Sequence, residues 1–182
     1  MSPEAAPLAP SPPPAALRDF VSIFEEFAPF VWRALRRLGV PEADAEDISQ
    51  EVFVTVHRKL PEFEGRSTVR TWLYGICIRT ASDHRRRAHV RRELATDRPP
   101  DRVTSPTQPR DLERRRARAA LDRALDTLDD DKRAVLVLYE IEDLPMAEVA
   151  EAVGCPLQTA YARLYAARRL LKEVLEQQGG GA

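Results

Sequence analysis

Gly154-Cys155-Pro156 is the punctuation that most restricts how this chain can fold. Before it, Val149, Ala150 and Val153 fall on one helix face. After it, Leu157, Ala160, Leu164, Ala167 and Leu171 step by three or four, again the period of one helix face. Glycine accepts the left-handed conformation that ends a helix, and proline's fixed φ suits the first turn of the next one. The stretch Leu144 to Lys172, LPMAEVAEAVGCPLQTAYARLYAARRLLK, is therefore expected to form a short helix, a tight turn and a longer helix. That is the helix-turn-helix pattern, whose second helix is the one that enters a DNA major groove.

A chain of 182 residues has room for one domain or two small ones, and 43% hydrophobic residues are enough to build a core. Only seven glycines and few β-branched runs point to an all-α fold. The net charge of -1 offers no overall attraction to nucleic acid, so any such binding must come from a local field. The local pattern is uneven: Glu42 to Glu51 is acidic and Arg79 to Arg92 strongly basic. Two cysteines, Cys77 and Cys155, make neither a disulfide framework nor a zinc site and read as buried free thiols. No apolar run is long enough to span a membrane, and no basic-then-apolar signal segment opens the chain, so a cytoplasmic location is expected.

Residues 1–16 are rich in Pro and Ala and are expected to form a disordered tail. Leu17 to Leu38 carries Phe20, Ile23, Phe24, Phe27, Val31, Leu35 and Leu38 at helical spacing, with Arg33, Arg36 and Arg37 mainly opposite. Pro29 is expected to kink or divide this helix, and Gly39-Val40-Pro41 to end it. Asp44 to Leu60 is a second helix with carboxylates in its first turns, where they complement the helix dipole, and Ile48, Val52, Phe53 and Val56 as its buried stripe. Its acidic face is either solvated or a docking surface for a basic partner. Pro61 to Thr68 is a loop, with Ser67 or Thr68 placed to cap the helix that follows. From Val69 to Arg92, Trp72, Leu73, Ile76 and Thr80 share a side with Tyr74 beside them, and an Arg cluster follows. Rings followed by guanidinium groups suit single-stranded nucleic acid, although core packing accounts for Trp72 equally well. Residues 93–118 read as a linker and 177–182 as a frayed tail. Between them, Leu121, Leu125 and Leu128 mark one amphipathic segment and Val135, Leu136, Leu138 and Tyr139 another, separated by Asp129-Asp130-Asp131.

The order of these parts resembles the extracytoplasmic-function group of sigma-70-type RNA polymerase sigma factors. The resemblance rests on AEDISQEVFVTVHRKL, then FEGRSTVRTWLYGI, then DHRRR, and on LDTLDDDKRAVLVLYEIEDLPMAEVAEAVGCPLQTAYARLYAARRLL near the C-terminus. It implies two small helical domains joined by a flexible linker. Residues 17–92 would be region 2, a three-to-four-helix domain, and 119–176 region 4, the helix-turn-helix domain. It implies a bacterial transcription initiation factor, not an enzyme, with no cofactor and no metal, that directs core RNA polymerase to promoters and helps melt the −10 region. Its partners would be the clamp helices of the largest polymerase subunit and the flap, promoter DNA and an anti-sigma factor.

Carried onto this chain, Asp47, Gln50, Glu51 and Phe53 would lie at the polymerase surface. Phe63, Gly65, Arg66, Ser67 and Thr68 would form the loop that receives an unstacked −10 base, a capture that must offset the cost of flipping it. Trp72, Tyr74, Arg79, Arg85, Arg86 and Arg87 would support the melted strand. Gln158, Thr159, Tyr161, Ala162 and Arg163 would face the −35 element, with Arg163, Arg168, Arg169 and Lys172 on its phosphates. The chain departs from the family after TWLY, where a basic residue and then an Asn are usual; Gly75, Ile78 and Arg79 stand there. Tyr161, Tyr165 and Ala166 also replace commonly polar or basic positions of the recognition helix, implying an atypical −35 preference or weaker duplex binding.

Two other readings compete. The C-terminal half alone permits a stand-alone helix-turn-helix transcriptional regulator, but such a protein needs neither the acidic helix nor the aromatic-basic block. A metal-dependent enzyme could draw on Asp44, Asp47 and Glu51 with His57, His84 or His89, yet the chain has no HExxH-type pair and no Gly-rich phosphate loop.

Overall fold

A computed structural model describes residues 19–94 and 120–179, and every described element is helical. The expected N-terminal tail and nearly all of the linker lie outside the described residues; of the expected C-terminal tail, residues 177–179 instead continue the last helix and 180–182 lie outside. The first half contains α1 (Phe20–Arg37), α2 (Glu42–Lys59), a 3-10 turn (Leu60–Glu62) and α3 (Val69–Leu94). The second contains α4 (residues 120–126), α5 (Asp130–Leu136, continued by a π turn over Val137–Ile141), α6 (Met146–Val153) and α7 (Leu157–Gly179).

The caps follow local chemistry. Asp19 caps α1 by accepting from the Ser22 amide at 2.7 Å. Thr68 Oγ1 does the same for the Thr71 amide at 3.0 Å and opens α3. Asp129 accepts from the Lys132 amide at 2.8 Å and opens α5. Gly154 ends α6 with φ 68 and ψ 41, the left-handed geometry expected of it. Pro29 neither divides nor ends α1, which runs unbroken past it. Pro29 sits on the solvent side, where water can satisfy the carbonyl that loses its partner.

In the first half, Ile23, Val31, Leu35, Val52, Val56, Leu73, Tyr74, Ile76 and Cys77 interlock with at most 1% exposure. Phe24 departs from the expected stripe at 45% exposed, and Leu121 of α4 is 46% exposed while Leu125 and Leu128 are buried. The second half packs Val135, Leu138, Val149, Ala160, Leu164 and Ala167 between α5, α6 and α7.

The buried apolar residues of the two halves form one continuous cluster. Arg133 of α5 lies at the seam, only 2% exposed. Its Nε donates to the Arg37 carbonyl at the end of α1 (3.0 Å) and its Nη1 to the Asp126 carboxylate (2.7 Å). A cation at a helix C-terminus is the favourable polarity. Gly39, at φ +95, leaves the space, since a Cβ there would stand 2.5 Å from Arg133 Nη1. Arg36 and Arg37 are accordingly not on a free outer face: Arg36 donates to the Val40 carbonyl and Arg37 pairs with Glu142.

Candidate nucleic-acid interface

Four surfaces carry the residues singled out in the sequence. On α2, Asp47, Gln50 and Glu51 are exposed along one side. Phe53 is 5% exposed and lies beneath the rings of Phe20 and Phe24, at 6.4 and 4.7 Å between centroids. The acidic side continues across a groove onto α3, where Arg87 reaches Glu51 at 3.0 Å.

The loop before α3 forms the second surface. Phe63 and Trp72 pack their rings 4.6 Å apart at 33°. With Glu62, Glu64, Arg66 and Ser67 they line a pocket of about 340 Å³, and Glu151 of α6 completes the wall. Gly65 holds φ 69 at the tip, a conformation that side chains rarely adopt. Trp72 is half-buried, presenting part of its ring to this pocket. Tyr74 is fully enclosed against Phe30, so its ring offers no face to a base in this arrangement. Burial pushes the Tyr74 phenol up to about 12, against the opposing pull of the Arg70 guanidinium.

The basic run of α3 is the third surface. Arg79, Arg86 and Arg87 are exposed and Arg85 is half-buried. Three of these cations already have carboxylate partners: Arg85 with Asp130 at 2.9 Å, Arg86 with Asp83, and Arg87 with Glu51. The recognition face of α7 is the fourth. Gln158, Ala162, Arg168, Arg169 and Lys172 are exposed, and Thr159, Tyr161 and Arg163 half-buried. Tyr161 stacks with Tyr165 at 6.4 Å and 23°, so the two tyrosines form one aromatic ridge. Arg163 pairs with Asp131 and Arg168 with Glu140, the latter also lying over the Tyr139 ring. Solvent-exposed pairs of this kind are worth only about 0–1 kcal/mol, so phosphates can displace the carboxylates.

The matches to known proteins follow the same division. Residues 23–91 match the family model of sigma-70 region 2, and residues 118–171 that of sigma-70 region 4. The RNA polymerase sigma-H factor of Pseudomonas aeruginosa is 32% identical over 151 residues, covering 73% of this chain and 74% of that protein. The chain belongs to the extracytoplasmic-function sigma factors.

Other relatives agree with that placement. The ECF sigma factor SigE of Mycolicibacterium smegmatis is 32% identical across 88% of this chain, which spans 63% of that relative's length. The ECF sigma-E factor of Escherichia coli K12 is 29% identical over 72% of this chain and 74% of its own. The fold of this sigma factor is similar to CnrH in its complex with the cytosolic domain of CnrY, with a TM-score of 0.66, 24% identity and coverage of 90% and 93% of the two chains. RpoE of Bartonella quintana, solved with the anti-sigma factor NepR, aligns with a TM-score of 0.66 at 23% identity, over 88% of this chain and 98% of that one.

Within this sigma factor, sequence reasoning missed the residues that join region 2 to region 4. Glu142, with its carboxylate 7% exposed, receives Arg70 at 3.0 Å and also pairs with Arg37. Thr71 Oγ1 donates to Glu148 of α6 at 2.7 Å. Ser82 donates to Asp130 at 2.6 Å. The signal that could have revealed this seam is Gly75, since glycine in the middle of a helix marks a close approach. A Cβ there would stand 3.2 Å from the Ala152 carbonyl oxygen. His84 stands 3.1 Å from Asp44, but among the described residues no group of three or more His, Cys, Asp or Glu side chains could hold a metal ion. Among the described residues no helix is long and apolar enough to cross a membrane.

Proposed function

We propose that this sigma factor binds core RNA polymerase through the acidic side of α2, reads −35 DNA with α7, and captures a melted −10 base in the Phe63–Trp72 pocket. The observation that carries the reading is the order of parts in one chain. A helix-turn-helix alone could serve a repressor, but the acidic helix and the aromatic pocket beside an Arg run have no use in one. Asp47, Gln50 and Glu51 offer carboxylates and an amide to a basic helical surface such as the clamp helices. Phe53 supports that surface from below by packing. Phe63, Gly65, Arg66, Ser67 and Thr68 shape the pocket, with Trp72 as the stacking ring and Tyr74 as its buried support. Arg79, Arg85, Arg86 and Arg87 track strand phosphates.

On α7, Gln158 and Arg163 have the chemistry to read adenine and guanine edges. Thr159, Tyr161 and Ala162 add contacts along the groove, while Arg168, Arg169 and Lys172 hold phosphates. The work is binding and base capture, with no covalent step and no cofactor, in the cytoplasm where promoter DNA lies. An anti-sigma factor is the expected regulator, as the complexes of CnrH and RpoE suggest by analogy.

Purified core polymerase, this chain and genomic DNA in a transcription reaction provide the test. New transcripts with shared upstream elements are expected. Absence of stimulated transcripts, together with no binding to core at sub-micromolar protein, would sink the proposal.

A further inference from the structure

We infer that the Tyr161–Tyr165 ridge of α7 is an apolar reading head for thymine methyl groups, so that the −35 element this chain selects is specified by thymine more than by guanine. The inference rests on the sigma-factor reading and deepens it by naming the base chemistry that α7 takes.

Helical spacing sorts the start of α7 into strips. Ala160, Leu164 and Ala167 are buried in the core. Gln158, Ala162 and Tyr165 are exposed on the opposite side, with Tyr161 half-buried on their flank. The N-terminal residues of a recognition helix are the ones that reach base edges, so the groove meets this outward strip. The strip is largely apolar and carries no charge. Tyr165 is 61% exposed, and Leu157 at the helix start is 43% exposed. The Tyr161 and Tyr165 rings stack at 6.4 Å and 23°, so each restricts the other before any DNA arrives. A tyrosine side chain has few rotatable bonds, so ordering it against a base costs little entropy. Ala162 is too short to hold the groove away.

The cations of the same region lie to the sides. Arg163 is half-buried on one flank, 2.5 Å from the Asp131 carboxylate of α5. Arg168, on the other flank, donates from Nε to Glu140 at 2.7 Å and lies over the Tyr139 ring. Arg169 is exposed, but at 1.5 Å per residue it stands about 16 Å further along the axis than Gln158. Guanine is read by a bidentate arginine or lysine, and no such side chain stands in the outward strip over the first three turns. Thymine shows the major groove one acceptor and a methyl group that apolar side chains recognise. Gln158 complements that choice, because its amide pairs with adenine. Gln158 and Tyr165 lie about 10 Å apart along the axis, about three base-pair steps, so amide and ring read one short element.

The test uses holoenzyme assembled from core polymerase and the full chain, with duplexes randomised across the −35 window. One library carries thymine. The other carries uracil, which keeps every hydrogen-bonding group of thymine and lacks only the methyl. Enrichment of thymine is expected from the first library and its loss from the second. On a selected duplex, uracil at a read position should weaken binding roughly fourfold, the ratio for one buried methyl-sized group. The salt dependence should stay the same, because the methyl carries no charge. Tyr165→Ala should bind thymine and uracil duplexes alike. Tyr165→Phe, which keeps the ring and drops the hydroxyl, should still tell them apart. Equal binding of the two duplexes by the parent, selection of guanine at the read positions, full discrimination by Tyr165→Ala or none by Tyr165→Phe would each overturn the inference and leave the −35 reading standing. Failure of holoenzyme to enrich any sequence from the thymine library would overturn both.

Discussion

Arg133 shows how one side chain can bind two halves of a molecule. Its guanidinium is desolvated, which holds its pKa below the usual arginine value against the opposing effect of the hydrogen bond it donates to Asp126. Arg133→Ala would leave the Arg37 carbonyl without its donor and a void beside Gly39. A loss of about 3 kcal/mol is expected from a denaturant midpoint with unchanged slope; a loss below about 1 kcal/mol would show that the seam does not depend on it. Arg133→Lys should recover little, because a point ammonium cannot serve a carbonyl and a carboxylate in one fork. Tyr74 and Cys77 predict an alkaline sensitivity. Burial raises them from 10.0 and 9.0, each to about 12, so their neutral forms stabilise the fold. That stability is complete below about pH 9 and is lost as pH rises toward 12. Urea midpoints between pH 8 and 11 should fall, and Tyr74→Phe/Cys77→Ala should flatten the slope. An equal slope in the double variant would contradict the assignment.

At the scale of elements, the turn chemistry was legible because it is local. Gly154 sits at positive φ with open space around its missing Cβ, so Gly154→Ala should cost about 1 kcal/mol through backbone strain and not through a clash. Gly154→Asn should cost less, and equal melting shifts for the two would argue against strain. Asp129 caps α5; partial burial pushes its carboxyl up, but hydrogen bonds from Lys132 outweigh that and hold it below the ordinary value. Asp129→Ala should cost about 1 kcal/mol at neutral pH, with a smaller difference as pH falls through the carboxylate range. Measured at pH 7 and pH 3, an undiminished difference would remove the charge from the account. Element ends were less legible. Helix α1 begins at Phe20 and passes through Pro29, whose exposed position lets water satisfy the carbonyl that loses its amide partner.

At the scale of the whole molecule, the continuous apolar cluster predicts one cooperative unfolding transition despite two family domains. Calorimetry should give a single peak for the parent and a split or broadened one for Glu142→Ala/Glu148→Ala. A split in the parent would show that the halves unfold independently. The recognition face makes a further prediction at this scale. The stacked Tyr161 and Tyr165 put an aromatic ridge where positive charge is common in the family, so Tyr161→Arg should tighten duplex binding by holoenzyme and steepen its salt dependence by about one phosphate contact. An unchanged slope would place Tyr161 away from the backbone.

Periodicity, caps and motif spacing sufficed for an all-α chain, the helix-turn-helix, the Gly154 boundary and the sigma-factor resemblance, and narrowed two other caps to Ser67 or Thr68 and to the Asp129–Asp131 run. Each depends on residues within a turn or two of one another, so neighbouring side chains carry the information. The seam did not follow from such rules. Arg37 looked like part of a solvated arginine face, Tyr74 like a strand-facing ring, and the arginines of α3 and α7 like free cations. Their partners lie far away in sequence: Glu142 for Arg37 and Arg70, Asp130 for Arg85, Phe30 for Tyr74. Only packing brings such groups together, because desolvation and ion pairing depend on what the chain folds against and not on local spacing. Gly75 is the point where the two kinds of information meet: its smallness is written in the sequence, and what presses on it is decided by α6.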